Sequence, residues 1–371
     1  SVTWKASDYH NMTNRVNVLP GATLTIEPGT VITSDGGSLA IAAGAQIFAK
    51  GTKDAPIIFT SVNDNRTSWR AVCQEWGSLA IMGEGIISSH VYKGVAKNGT
   101  NVNSAAAVGT HTRTMEGLIA GVDGREVYGG NNDDYDAGTL SYVSFRYGGQ
   151  VLEENSELNG LSLGGIGSET DIHHIEIYNN VDDGIEIWGG KVNLKYFSIW
   201  NIGDDSLDVD QGWRGTAQFG LIVQGASQAG KQGSGVGDNC IEIDGAEDSD
   251  AQPLTSCRIA NVTVVGNKLG GDGGATYRDN ARIQYSNMIF MNLGEELIRL
   301  DNQDGDGGSG YGNGMTEWAA TWTTSADTYE ALNFTNNIYG SLADLYTAQY
   351  AAGNLNEMIN SVFYNNTVDS D

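Results

Sequence analysis

Proline and cysteine are nearly absent from this chain, 4 and 3 residues among 371. Few prolines leave little from which to build the stiff linkers that join separate domains. The three cysteines, Cys73, Cys240 and Cys257, cannot all pair within one chain, so at least one is free or pairs between chains. Cys240 and Cys257 can bridge neighbouring strands or stay reduced, and the sequence leaves that choice open. Basic residues are scarce too: 20 Lys and Arg stand against 46 Asp and Glu, a net charge of -26. Such a field repels phosphate backbones and anionic lipid, which makes nucleic acid and acidic membrane surfaces poor partners. Divalent cations and neutral glycans stay compatible with it. No apolar run approaches the roughly 18 residues of a membrane span, so none is expected. Ser1 opens directly into polar sequence, so any signal peptide is expected to have been removed.

Glycine is abundant instead, 51 residues, and it punctuates short apolar strands. Leu24-Thr25-Ile26, Val31-Ile32, Leu39-Ala40-Ile41, Ile47-Phe48 and Ile57-Ile58-Phe59 are separated by Gly29, Gly36-Gly37, Gly44 and Gly51. Strands this short and this close leave no room for crossover helices, so a coil of strands, a solenoid, remains. Its period shows in the middle of the chain, where Asp182-Asp183-Gly184-Ile185-Glu186-Ile187 returns 22 residues later as Asp204-Asp205-Ser206-Leu207-Asp208-Val209. Phe197-Ser198-Ile199 and Phe219-Gly220-Leu221 are read at the same spacing. The pattern recurs as Asp238-Asn239-Cys240-Ile241-Glu242-Ile243 and, more loosely, as Glu295-Glu296-Leu297-Ile298-Arg299-Leu300. The expected fold is therefore all-β: a right-handed parallel β-helix with rungs of about 22 residues, apolar residues inward and Glu186, Asp208, Glu242 and Arg299 outward.

The whole of 1–371 is expected to form one such domain, interrupted by surface insertions at about 88–137, 225–237 and 301–331. Insertions in a solenoid gather on its loop faces, where a partner is met; Trp318 and Trp322 sit in the last one. Sequons at Asn11, Asn65, Asn98, Asn261, Asn333 and Asn365 fit a secreted chain without establishing glycosylation.

Several motifs together resemble a family of secreted bacterial β-helix proteins of uncharacterised role, within the pectin-lyase-like superfold. They are the run from Leu19-Pro20-Gly21-Ala22 through Val31-Ile32, Tyr128-Gly129-Gly130, the run from Leu140-Ser141-Tyr142 to Gly148-Gly149, and Asp182-Asp183-Gly184 through Asp210-Gln211-Gly212-Trp213-Arg214-Gly215. The resemblance spans most of residues 15–300 and implies export to the cell surface or medium. The fold is also similar to that of polygalacturonases, in which paired carboxylates serve as acid and base for an inverting hydrolysis. Asp183-Gly184 and Asp204-Asp205 have that spacing, but Gln224-Gly225-Ala226 stands where Gly-His-Gly belongs and Arg282-Ile283-Gln284 where Arg-x-Lys belongs.

Outward carboxylates repeating once per rung lie about 4.8 Å apart and repel by roughly 3 kcal/mol at an effective dielectric near 20. A bound cation relieves this, and Ca2+ is the natural one because it accepts six to eight oxygens in flexible geometry. The nominated ligands are Asp182, Asp183, Asp204, Asp205 and Asp238. The alternative is that these side chains only cap turns through backbone amides. Asp301, Asp304 and Asp306 form a second acidic loop whose spacing departs from an EF-hand. Trp188, Trp200 and Trp213 are candidates for stacking carbohydrate, or else pack on the sheet. His173 and His174 are adjacent on a strand and expected to point to opposite faces, which argues against a shared metal.

Two functions follow from this reading. The first is a non-catalytic extracellular surface or structural protein, adhesive or self-associating end to end or laterally into filaments and stabilised by calcium. The second is a hydrolase or lyase acting on acidic extracellular polysaccharide with Asp183, Asp204, Asp205 and either Arg282 or Arg214.

Overall fold

The structure, a computed structural model, describes residues 1–88, 109–118, 123–150, 158–225, 237–246, 252–301, 310–312, 316–326 and 352–367. Parallel strands dominate it; the exceptions among named elements are one short helix, Trp318–Thr321, and the antiparallel hairpin of Arg113–Thr114 with Val127–Tyr128. Nine strands form one sheet, whose central members are Leu161–Gly164, Ile185–Trp188, Leu207–Asp210, Ile241–Ile243 and Ala275–Tyr277. Between visits to that sheet the chain adds one long strand or two short ones to a second sheet of fifteen, so each circuit is one rung of a right-handed parallel β-helix.

The alternation of the sequence explains the interior. Leu161, Ile185, Leu207, Ile241 and Ala275 are register partners or next in line on successive rungs, and none is exposed to solvent. Stacking like on like gives each apolar side chain a neighbour above and below. The fifteen-stranded sheet folds around a second wall because its long strands each carry a left-handed residue at one place: Tyr142, His174, Tyr196, Phe219 and Asn261, with φ between 50° and 63°. The pairs flanking them keep these five in register, so the bend repeats on every rung.

The 22-residue repeat is present between Ile185 and Leu207, but two details of the register differ from expectation. Phe197 pairs with Gly220, not Phe219, because the turn at 210–215 adds one residue to that rung. A Cβ on Gly220 would come within 2.3 Å of the Phe197 ring, so the buried phenyl requires glycine there, while Phe219 stands outside on the bend. The second detail is a rung at Ala275–Tyr277, lying between Ile241–Ile243 and Ile298–Leu300. Gly273-Gly274 follows a single acid, Asp272, there, which is why the repeat does not announce it.

The insertions also acquire a place. From 109–118 and 123–137, Met115, Leu118 and Tyr128 pack with Trp188, Ala80 and Met82, so part of the first insertion lies on the outer face of the nine-stranded sheet. Trp318 and Trp322 are partly buried against the core and pack on Tyr277 with ring centroids 5.1 and 6.1 Å away. Most of 225–237 lies outside the described residues, as do Asp304, Asp306, Asn98 and Asn333.

Candidate metal centre

The turns entering the central strands of the nine-stranded sheet carry the acidic repeat. Asn159, Asp183, Asp205 and Asn239 occupy equivalent positions, and each of the first three accepts the backbone amide one rung on. The Asp183 N–H donates to Asn159 Oδ1 (3.1 Å), Asp205 N–H to Asp183 Oδ1 (3.0 Å) and Asn239 N–H to Asp205 Oδ1 (2.6 Å). One oxygen of Asp183 and one of Asp205 are thus used as turn caps, as side chains of this type commonly are. Their second oxygens are not consumed by this ladder.

Two residues beyond the turn, Glu186, Asp208 and Glu242 follow one another in register and point away from the coil. They are nevertheless buried, at 6%, 8% and 6% exposure. Oxygens of Asp183, Glu186 and Asp208 all lie within 4.8 Å of one another, and so do oxygens of Asp182, Asp183 and Asp204. Asp183 belongs to both triads. Neither triad includes Asp205 or Asp238; Asp205 instead interacts with Glu242. The side-chain amide of Asn159 bonds Glu186 Oε2, and Asp208 Oδ1 and Glu242 Oε1 are buried without a hydrogen-bond partner among the described residues.

Burial, above all, and then the neighbouring carboxylates push the pKa values of Asp183, Glu186, Asp205, Asp208 and Glu242 well above the usual carboxylate range. Arg278 relieves one end only. Its Nη1 is 3.0 Å from Glu242 Oε2 and 3.6 Å from Asp244 Oδ2, and its Nε is 3.4 Å from Asp301 Oδ2. Burial works against that guanidinium, but Asp244, Glu242, Asp208 and Asp301 hold it more firmly charged than usual. At neutral pH the Asp183, Glu186 and Asp208 triad therefore needs protons or a further cation.

The donor set fits calcium. Ca–O distances of about 2.3–2.6 Å place opposite ligands about 5 Å apart, so three oxygens mutually within 4.8 Å can share one ion. The all-carboxylate set and the unpartnered Asp208 Oδ1 suit a hard cation. A third triad, Asp272, Glu295 and Glu296, lies farther along, with Glu295 exposed.

The arginines singled out in the sequence lie elsewhere. Arg282 is 1% exposed; its Nη1 donates to the carbonyls of Asn280 and Ala281, and its guanidinium covers the Tyr311 ring at 5.0 Å. Arg214 is fully buried and clamps Asp133 with two nitrogens, at 2.5 and 3.0 Å. Both hold the fold together, and neither is placed to meet a polysaccharide. Glu186, Asp208, Glu242 and Arg278 were not nominated as ligands or site residues, although the recurrence of an acid two places into successive strands was a usable signal.

Of the tryptophans, Trp188 and Trp213 are 4% and 0% exposed and pack internally, Trp213 Nε1 bonding the Val192 carbonyl at 3.0 Å. Only Trp200 among the three offers a face to solvent. The cysteines form no disulfide; Cys240 and Cys257 are buried thiols whose pKa burial raises further. His173 and His174 also depart from expectation, because the left-handed φ of 55° at His174 brings both rings to one side, Nδ1 to Nδ1 at 2.7 Å.

The chain matches the family model of the pectate-lyase-like β-helix domain over residues 1–359. No curated protein and no solved structure matches it. A continuous match over parallel rungs whose buried acids stand on the outer face of one sheet leaves one assignment: this chain belongs to the pectate-lyase-like β-helix domain family.

Proposed function

We propose that the protein is a non-catalytic, calcium-stabilised β-helical scaffold working outside the cell. The observation that carries this reading is the buried triad of Asp183, Glu186 and Asp208, with Asp208 Oδ1 lacking a hydrogen-bond partner among the described residues. A fold that buries three adjacent carboxylates loses stability unless an ion neutralises them, and extracellular calcium modules work at the high ion concentrations found there. The burial of these groups supports a structural role over a catalytic one, since a substrate needs to reach them. Self-association is the corollary: the strand Val362–Tyr364 offers three exposed side chains on a sheet edge, which a second copy can extend end to end. The test is the melting temperature with calcium and with a chelator. Chelation is expected to lower it, and calcium but not sodium to restore it; identical melting in both would refute the proposal.

Cleavage of acidic polysaccharide remains a second reading because Arg278, about 31% exposed at its side chain, stands beside Glu242 and Asp244 on the same face. Incubation with polygalacturonate and calcium distinguishes the two. Release of reducing ends or unsaturated products, abolished by Arg278→Ala, would favour the enzyme.

A further inference from the structure

A second feature lies on the other sheet. A groove of about 410 Å³ runs across three rungs and is lined by Glu176 and Tyr178, then Trp200 and Asn201, then Val223 and Gln224, with Trp69 from the loop after Ile57–Ser61 forming a wall. That volume falls within the roughly 300–1,000 Å³ typical of small-ligand sites. Three rungs at about 4.8 Å spacing make it about 10 Å long, enough for a short chain of sugar rings.

The support given to Trp69 is what separates this groove from an ordinary surface depression. Its ring is 56% exposed, yet its Nε1 donates to Oδ1 of Asn179, a residue with no exposure at all, at 3.2 Å. Asn179 in turn donates to the carbonyls of Arg70 (2.7 Å) and Val72 (3.0 Å) and accepts from Asn201 (2.8 Å). The Arg70 amide bonds the Tyr147 hydroxyl and its guanidinium forks onto Glu75. A buried, fully engaged asparagine and an ion pair thus fix an indole that packing alone does not require to be there. Such preorganisation lowers the cost of ligand binding.

We propose that Trp69 and Trp200 form a binding site for a neutral polysaccharide. Two exposed indoles supply amphipathic surface for the C–H faces of pyranose rings, and the Glu176 carboxylate accepts from sugar hydroxyls at the rim. Trp200 is itself 39% exposed. Arg146 stands 3.8 Å from the Glu176 carboxylate and offsets its charge, so it is the net charge of -26 that repels uronate polymers and favours neutral over acidic glycans. The site does not depend on the calcium reading.

Affinity electrophoresis in calcium-containing gels tests this, with hydroxyethylcellulose, mixed-linkage β-glucan, xylan and polygalacturonate as immobilised probes. At least one neutral polymer is expected to retard the protein. Trp200→Ala and Trp69→Ala are each expected to weaken retardation at least ten-fold with the melting temperature held, and Trp200→Phe to restore most of it. Absence of retardation by every neutral polymer, retardation by polygalacturonate alone, or binding indifferent to both alanine variants overturns the proposal.

Discussion

A buried carboxylate oxygen with no hydrogen-bond partner is costly for a fold, and Asp208 Oδ1 is such an atom. Substituting Asp208→Asn separates the two costs at that place. In chelator at neutral pH the variant is expected to be more stable than the parent, since one of three mutually repelling charges is gone. With calcium present it is expected to be less stable by roughly 1–3 kcal/mol and to bind the ion at least ten-fold more weakly; calorimetric titration and chemical denaturation read both. Gly203 tests a different residue-scale constraint. It precedes Asp204 in the rung turn, and a Cβ there would stand 1.9 Å from the Val181 carbonyl oxygen, backbone against backbone. Gly203→Ala is expected to cost about 1–3 kcal/mol by overpacking, seen as a lower denaturation midpoint.

At the scale of elements, the acidic column runs along the strands Ile185–Trp188, Leu207–Asp210 and Ile241–Ile243, where burial and then the neighbouring carboxylates raise the pKa values of its members. Folded-state pKa values above those of the unfolded chain mean that the folded protein holds more protons between the two. Calcium-free stability is therefore full below the ordinary carboxylate range and is lost as pH rises through the raised values. Melting curves in chelator are expected to fall with rising pH over that window, and calcium to cancel the slope. The strands themselves were legible because apolar residues alternate and the acidic turn recurs. What escaped was the single-residue lengthening before Thr216–Val223, since Phe219 mimics Phe197 in sequence while occupying the outer bend. The His173 and His174 geometry escaped for the same physical reason: a left-handed residue suspends strand alternation, and nothing in residue type marks Tyr142, His174, Tyr196 or Phe219 for that conformation.

For the whole molecule, the net charge of -26 and the buried carboxylates both favour cations over anions as partners. Legibility at this scale was uneven. Coil architecture followed from glycine spacing, whereas burial of the carboxylates depends on what lies over the nine-stranded sheet, and the sequence carries no repeat that reveals such a cover. Association of copies through Val362–Tyr364 is expected to appear in sedimentation velocity as species larger than one chain, and Phe363→Lys to return the protein to a single-chain sedimentation coefficient. The most direct test of the central claim is calorimetric titration of the metal-stripped, folded protein with calcium at neutral pH, followed by thermal denaturation of both forms. Saturable binding that raises the melting temperature, and that Asp208→Asn weakens at least ten-fold, is the expected result; no binding heat and coincident denaturation curves would contradict it.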